Sequence, residues 1–287
     1  MPTNITDVSA FTSPVVAPAD GDTRNAASVN VAFQSLADRT RILLDALIVR
    51  LVWSGDFAVA SGGSLTSFSI SVGAIGQLLA ADSNGDYRVA SATAGTVTQA
   101  HILGGGGTLG AVAQWWYVYA YVTTLGAVSY EVTTTAPESS RRCKLADATR
   151  AYLGCFRTLA TGAPLPAQKA NGRYLYRASA LGSNELRVVN VSAATGATAQ
   201  SLATLVPPHG RIARLLLSVS GDVNQAALSI FYPGDTAAES ASCYAASGGA
   251  SNQIHVDVPT DASQVVDYSL TGTGSPSGVV RVLGFYE

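Results

Sequence analysis

The sequence predicts a mainly β protein, in which an extended arm and a single long, coiled-coil-like α-helix precede two antiparallel domains of the β-sandwich or jelly-roll type. Three observations support this fold class. Prolines interrupt the first residues, an apolar stripe recurs with a heptad period from Val29 to Leu51, and short alternating runs separated by Gly and Ser begin at Trp53. We therefore divide the chain into an arm (1–22), an oligomerisation or anchoring helix (23–52), a first β domain (53–180) and a C-terminal β-sandwich domain (181–287).

The arm is defined by its prolines. Pro2, Pro14 and Pro18 precede the turn sequence DGD at 20–22. Because proline has no backbone N–H and disfavours a helical conformation in the residue before it, we expect an extended chain that ends in a turn. A few apolar side chains in the arm suggest that it lies on another protein surface, and the alternative is a frayed terminus.

The helix is predicted for residues 23–52, where apolar side chains recur at alternating spacings of four and three. Such a seam is typical of an amphipathic, coiled-coil-like helix. Further apolar residues beside the seam widen the stripe, which favours a homotrimer, or packing against other proteins, over a dimer. The alternative is an ordinary helix packed against its own β domain. The residues expected to mediate oligomerisation or anchoring are Val29, Phe33, Leu36, Leu43 and Leu47.

The two β domains are predicted from short alternating runs with turns between them. Asn84-Gly85 is a strong hairpin signal, which we expect to join strands at 77–81 and 87–90. Residues 144–159 are ambiguous and are interpreted as a turn followed by a strand. The remaining strands are expected at 57–60, 67–72, 96–102, 114–122, 127–133 and 173–178 in the first domain, and at 186–191, 213–220, 226–232, 253–258, 264–270 and 279–286 in the second.

Composition argues against nucleic acid and membranes as partners. Charged residues make up 13% of the chain, against about 25% in ordinary globular proteins, and the formal net charge is −2. This charge offers no attraction for nucleic acid or for an anionic membrane surface. Residues 89–130 contain no Asp, Glu, Lys or Arg, but aromatic and aliphatic side chains alternate within 115–122, which favours a strand over membrane insertion.

No motif predicts a catalytic residue, a cofactor or a metal site. The sequence DSNGDY at 82–87 lacks the glycine and glutamate positions of a calcium loop, so a hairpin turn explains it. The acidic residues form no local pair of the kind that glycosidases use. The cysteines lack metal or disulfide spacing and the histidines are scattered, so we expect packed thiols and a non-enzymatic protein. Three distant histidines meeting at one metal in a trimer are the minor alternative. These residues are Cys143, Cys155, Cys243, His101, His209 and His255.

One stretch contains candidate ligand contacts. Trp115, Tyr117 and Tyr119 fall on one face of the strand predicted at 114–122. Exposed aromatic rings can stack on sugars, so carbohydrate contact is one expectation for these three residues. Packing in the core or at a subunit interface is the favoured alternative.

Six short segments have a distinctive sequence. They are PADGD (18–22), ASVN (27–30), FQSLADRT (33–40), WWYVYA (115–120), YLGCFRT (152–158) and GRYLYR (172–177). Together they resemble structural proteins of tailed bacteriophages, particularly those of the fibre or appendage type, and the resemblance extends over residues 14–180. It implies a virion protein, usually trimeric, that is anchored by its N-terminal region and presents distal β domains. These are structural signatures, so the resemblance implies no active site.

From these observations we expect a virion structural protein that is assembled in the host cytoplasm. It would be a trimeric fibre or appendage, attached through its arm and helix to tail, baseplate or neck proteins, with β domains that contact a bacterial surface polysaccharide or receptor. Three linked weak sites bind a repetitive surface more tightly than one. The alternatives are a capsid or neck decoration protein without host contact, and a surface-polysaccharide hydrolase, which requires two carboxylates about 5–10 Å apart.

Overall fold

The computed structural model describes residues 52–53, 55–81, 87–103, 107–138, 143–177, 184–221, 225–235, 240–246 and 249–287. In these residues the protein is built from antiparallel strands, which confirms that it is mainly β. The first twelve strands are β1 (Val52–Trp53), β2 (Phe57–Val59), β3 (Ile70–Val72), β4 (Ile75–Ala81), β5 (Tyr87–Ala92), β6 (Gly95–Val97), β7 (Trp115–Val122), β8 (Val128–Thr133), β9 (Cys143–Lys144), β10 (Asp147–Arg157), β11 (Ala167–Ala170) and β12 (Arg173–Tyr176). The others are β13 (Arg187–Val191), β14 (Thr195–Ser201), β15 (Ile212–Ser220), β16 (Ala226–Phe231), β17 (Ala241–Ala245), β18 (Ser251–Pro259), β19 (Val265–Thr271) and β20 (Ser277–Tyr286).

The described strands form four sheets. The largest has nine strands, in the order β18-β15-β20-β12-β11-β2-β3-β6, with β13 also paired to β20. A four-stranded sheet, β8-β7-β10-β9, and a three-stranded sheet, β1-β4-β5, come from the first predicted β region (53–180) and Val52 directly before it. A second four-stranded sheet, β14-β19-β16-β17, comes from the second half. A short 3-10 turn (Gln99–His101) follows β6.

The prediction of a long α-helix as part of the fold class is wrong. The part of the chain that the structure describes contains strands and one 3-10 turn, but no α-helix. Val52, expected to be the last residue of the helix, instead begins β1 and is paired with Gln77 of β4. β-Branched and aromatic residues, the types found at 52 and 53, favour a pleated strand over a helix. The rest of the predicted helix lies outside the described residues, together with its seam of Val29, Phe33, Leu36, Leu43 and Leu47.

Several predicted strands coincide with observed ones to within a few residues. The strand expected at 114–122 is β7, and the strand expected within 144–159 is β10. The hairpin expected around Asn84-Gly85 pairs β4 with β5, while residues 82–86 lie outside the described residues. Local alternation and turn signals are therefore a sound guide to these strands.

The two predicted β regions contribute strands to the same sheet. β12 pairs with β20, with Tyr174 opposite Phe285 and Leu175 opposite Gly284. The rings of Tyr174 and Phe285 are stacked, with their centroids 4.4 Å apart. Buried residues on both sides of this pairing belong to one hydrophobic cluster. The domain boundary at residue 180 stays a prediction, because strand pairing across it does not decide whether each part folds alone.

Candidate functional site

A buried polar cluster lies where β10 of the four-stranded sheet faces β11 of the nine-stranded sheet. β10 contributes Tyr152 and Cys155, and β11 contributes Lys169. His209 lies in the loop before β15, and Glu287 directly follows β20. We call these five residues the Glu287 cluster. The pairs that meet in it are as far as 135 residues apart in the sequence, so the tertiary fold alone assembles them.

A bulge in β10 allows Tyr152 and Cys155 to reach the same carboxylate. In a regular strand, side chains three residues apart point to opposite faces. The pairing of β10 with β7 shifts its register between Tyr152 and Gly154, and such a bulge changes the direction of the side chains that follow it. There is also no room for a larger residue at Gly154, because a Cβ there would lie 2.7 Å from the hydroxyl oxygen of Tyr174.

Both oxygens of the Glu287 carboxylate are engaged. Tyr152 Oη donates to Oε1, and His209 Nε2 lies 2.8 Å from the same oxygen. Cys155 Sγ lies 3.8 Å from Oε1 as the third donor. Lys169 Nζ lies 2.6 Å from Oε2, and the side chains of Lys169 and Glu287 are each 5% exposed. Lys169 and Glu287 therefore form a buried, hydrogen-bonded ion pair.

Aromatic rings surround the ion pair. Lys169 Nζ lies 5.0 Å from the ring centroid of Tyr174 and 5.2 Å from that of Tyr152. It also donates to the backbone oxygen of Leu153 at 3.1 Å. The imidazole of His209 meets the ring of Tyr152 edge-on, with the centroids 5.4 Å apart. These contacts replace water around the charges, and an interaction between charges is stronger in such a medium than in water.

Burial and hydrogen bonding act on the pKa of Glu287 in opposite directions. Burial raises the pKa, but the hydrogen bond from His209 and the positive charge of Lys169 outweigh it and lower the pKa to about 2. Burial, followed by the negative charge of Glu287, raises the pKa of the Cys155 thiol. At neutral pH the carboxylate is therefore ionised and the thiol is protonated. A protonated, buried thiol is a weak nucleophile.

Acid is expected to weaken the fold through Glu287. Because its pKa in the folded protein is about 2, below that of the unfolded chain, its stabilisation is complete above about pH 5 and is lost as the pH falls toward 2. A shift of this size corresponds to about 3 kcal/mol. Urea unfolding at a series of pH values measures the loss. The Glu287→Gln variant is the control, and an equal acid-induced loss in that variant would assign the effect to other carboxylates.

The structure buries two of the three aromatic residues that were candidates for carbohydrate contact. Tyr117 and Tyr119 are 3% and 0% exposed, and Tyr119 Oη donates to the backbone oxygen of Thr135 at 2.7 Å. Trp115 is half-buried, and its Nε1 donates to the backbone oxygen of Ala203 at 3.0 Å. Carbohydrate contact stays a prediction, for which Trp115 retains a partly exposed ring.

The sequence interpretation missed the Glu287 cluster. Of the three scattered histidines, only His209 belongs to it, since His101 packs edge-on against Tyr130 and His255 is exposed on β18. Cys155 and Glu287 show no local spacing that connects them. The one available signal was Lys169, which occupies an inward-facing position of β11. The sequence AQKA of β11 was not predicted to form a strand, so the inward position of Lys169 could not be inferred from it.

Comparisons with known proteins assign no family to the chain. No protein-family model matches it, and no curated protein matches its sequence. Among the described residues, no helix has both the length and the apolar character needed to cross a membrane.

Proposed function

We propose that this protein is a non-enzymatic structural component of a tailed-bacteriophage particle, namely a homotrimeric fibre or appendage whose β regions contact the bacterial surface. One observation carries the proposal. The three phage-like segments of the first β region lie in β7, in and just after β10, and in and on either side of β12. Their buried side chains belong to one continuous core. The resemblance therefore concerns residues that build the fold.

The Glu287 cluster supports a structural role more than an enzymatic one. Its ion pair joins β11 to the residue after β20, and Tyr152 and Cys155 connect it to β10. A carboxylate and an ammonium group that are each 5% exposed are out of reach of a polymer such as a surface polysaccharide. Removing one partner of such a buried pair costs about 3–5 kcal/mol, so the pair ties β11 to the residue after β20 in one arrangement.

The proposed mechanism is mechanical and multivalent. The N-terminal region would attach the protein to tail, baseplate or neck proteins of the particle. The β regions would then present three identical weak sites to a repetitive polysaccharide or receptor on the bacterial surface. Linking such sites raises the overall binding strength by about 10²–10⁴ over a single site, without any new contact.

Immunogold electron microscopy and adsorption assays test this proposal. Antibodies against the β regions should label the tail, baseplate or neck of purified particles. Particles that lack the protein should adsorb more slowly to the host, and an excess of the purified full chain should compete with intact particles. An absence of label on particles would contradict a virion role. Label combined with unchanged adsorption would favour the alternative of a capsid or neck decoration protein.

The oligomeric state is tested separately. Light scattering or sedimentation of the full chain should give about three times its mass of 29.4 kDa. A monomer, both in solution and when released from particles, would contradict the multivalent mechanism. A monomeric protein could still be located on the particle, so the oligomeric state and the location are tested independently.

A further inference from the structure

We propose that Cys155, His209 and Glu287 form a zinc-binding site inside the protein. Cys155 Sγ, His209 Nε2 and a carboxylate oxygen of Glu287 are all within 4.8 Å of one another. Thiolate, imidazole and carboxylate are the three side-chain ligand types that Zn²⁺ takes in proteins. The mixture of sulfur, nitrogen and oxygen selects against Ca²⁺ and Mg²⁺, which prefer oxygen ligands alone.

The distances between the ligand atoms are close to those of a tetrahedral site. Zinc bond lengths of about 2.0–2.3 Å place neighbouring ligand atoms about 3.3–3.6 Å apart at tetrahedral angles. The Sγ of Cys155 lies 3.8 Å from Glu287 Oε1, and His209 Nε2 lies 2.8 Å from the same oxygen. Cys155 Sγ and His209 Nε2 are at most 4.8 Å apart, so side-chain movements of up to about 1.5 Å would bring all three atoms to bonding distance.

The two oxygens of the Glu287 carboxylate have different partners, so one can bind the ion while the other is held in place. Oε1 lies within hydrogen-bonding distance of Tyr152 Oη, His209 Nε2 and Cys155 Sγ, so it is the carboxylate oxygen on the side of the other two ligand atoms. Tyr152 Oη also lies 3.0 Å from His209 Nε2, so this hydroxyl has to turn away from Nε2 when the ion binds. Oε2 is held by Lys169 at 2.6 Å. A carboxylate that binds a metal through one oxygen is commonly oriented by a hydrogen bond to the other. Lys169 is thus the positioning residue of the site.

The charges in the cluster are compatible with a cation beside Lys169. When Zn²⁺ binds, the Cys155 thiol gives up its proton to solvent, and the Nε2 of His209 becomes a ligand while its proton resides on Nδ1. The two charges of the ion are then offset by the thiolate and the carboxylate, so the cluster gains only one positive charge. Metal binding replaces protons on ligand atoms in this way, and binding therefore weakens as the pH falls.

The site is closed, which determines when the ion enters. The His209 side chain is 14% exposed and that of Glu287 is 5% exposed, and Cys155 is 1% exposed. We therefore expect zinc to be taken up as the chain folds and to be removed slowly by chelators. Because the three ligands come from β10, from the loop before β15 and from the residue after β20, bound zinc would stabilise the contact between the two halves of the chain.

Refolding of the full chain with Zn²⁺ or Co²⁺, or after chelator treatment, tests the site. We expect one equivalent of metal per chain, a higher thermal midpoint with zinc, and a thiolate-to-Co²⁺ charge-transfer absorption in the cobalt form. Cys155→Ser should abolish that absorption and weaken binding by at least about tenfold. Cys243→Ser is the matched control, because Cys243 is also buried and reduced but lies outside the cluster, and it should leave absorption and affinity unchanged.

Two outcomes would overturn the proposal. One is a refolded protein that binds neither ion in stoichiometric amount. The other is binding that survives Cys155→Ser unchanged, which would indicate adventitious metal on the surface. Near-ultraviolet circular dichroism of the metal-free variant shows whether it has folded. If Cys155→Ser does not fold, His209→Gln, which keeps polar atoms at that position, provides the same test through its loss of affinity.

Discussion

Replacing Glu287 with Gln is expected to lower the free energy of unfolding by about 3–5 kcal/mol, because Lys169 then remains buried without its anion. The amide keeps the size of the side chain, so packing changes little. Lys169 Nζ retains its bond to the backbone oxygen of Leu153, but a neutral amide cannot balance its charge. Urea unfolding of the metal-free protein at neutral pH, followed by tryptophan fluorescence, measures the loss.

A double-variant cycle shows whether this loss comes from the ion pair. Lys169→Met removes the charge and keeps much of the apolar stem, and it should also destabilise the protein, because the buried carboxylate then lacks the ammonium group that balances its charge. The variant carrying both changes should lose less than the sum of the two single losses. Strict additivity would contradict the coupling inferred here. Glu185→Gln, the same substitution at an exposed position, should stay within about 0.5 kcal/mol of the original protein.

Replacing Gly284 with Ala is expected to disrupt the centre of the nine-stranded sheet and to cost at least about 3 kcal/mol, more than ordinary overpacking of a core. Gly284 of β20 lies between β12 and β15 and is opposite Leu175 and Arg214. A Cβ at this position would lie 1.9 Å from the backbone oxygen of Tyr174. Since that oxygen belongs to the backbone, no change of side-chain rotamer relieves the overlap, and β12 must move away from β20.

Thermal unfolding of the Gly284→Ala variant measures this effect, and the stacked pair of Tyr174 and Phe285 should separate along with the strands. Gly196→Ala is the matched control. Gly196 lies in β14 with open space around the added Cβ and without a positive φ, so its replacement should leave stability unchanged or slightly raised. A Gly284→Ala protein as stable as this control would mean that β12 and β20 are not held together as described.

Local sequence patterns were sufficient for β7 and for the hairpin of β4 and β5. The alternation within 115–122 predicts β7, and Asn84-Gly85 predicts the pairing of β4 with β5, because both signals depend on neighbouring residues alone. The same approach missed β14. Its residues TGATAQS are mostly exposed, so no apolar periodicity marks them. It was also wrong about Val52, which a heptad pattern assigned to a helix and which instead pairs as a strand.

The sequence by itself determined that this protein is mainly β, low in charge and without any local catalytic motif. The tertiary structure decided which strands share a sheet and which polar residues meet. Strand formation follows from alternation along a few residues, because the backbone geometry is local. The joining of β12 to β20, and of Cys155, Lys169 and His209 to Glu287, depends on how distant segments pack, and no spacing along the chain encodes it. The cluster that carries our zinc proposal is therefore a property of the fold.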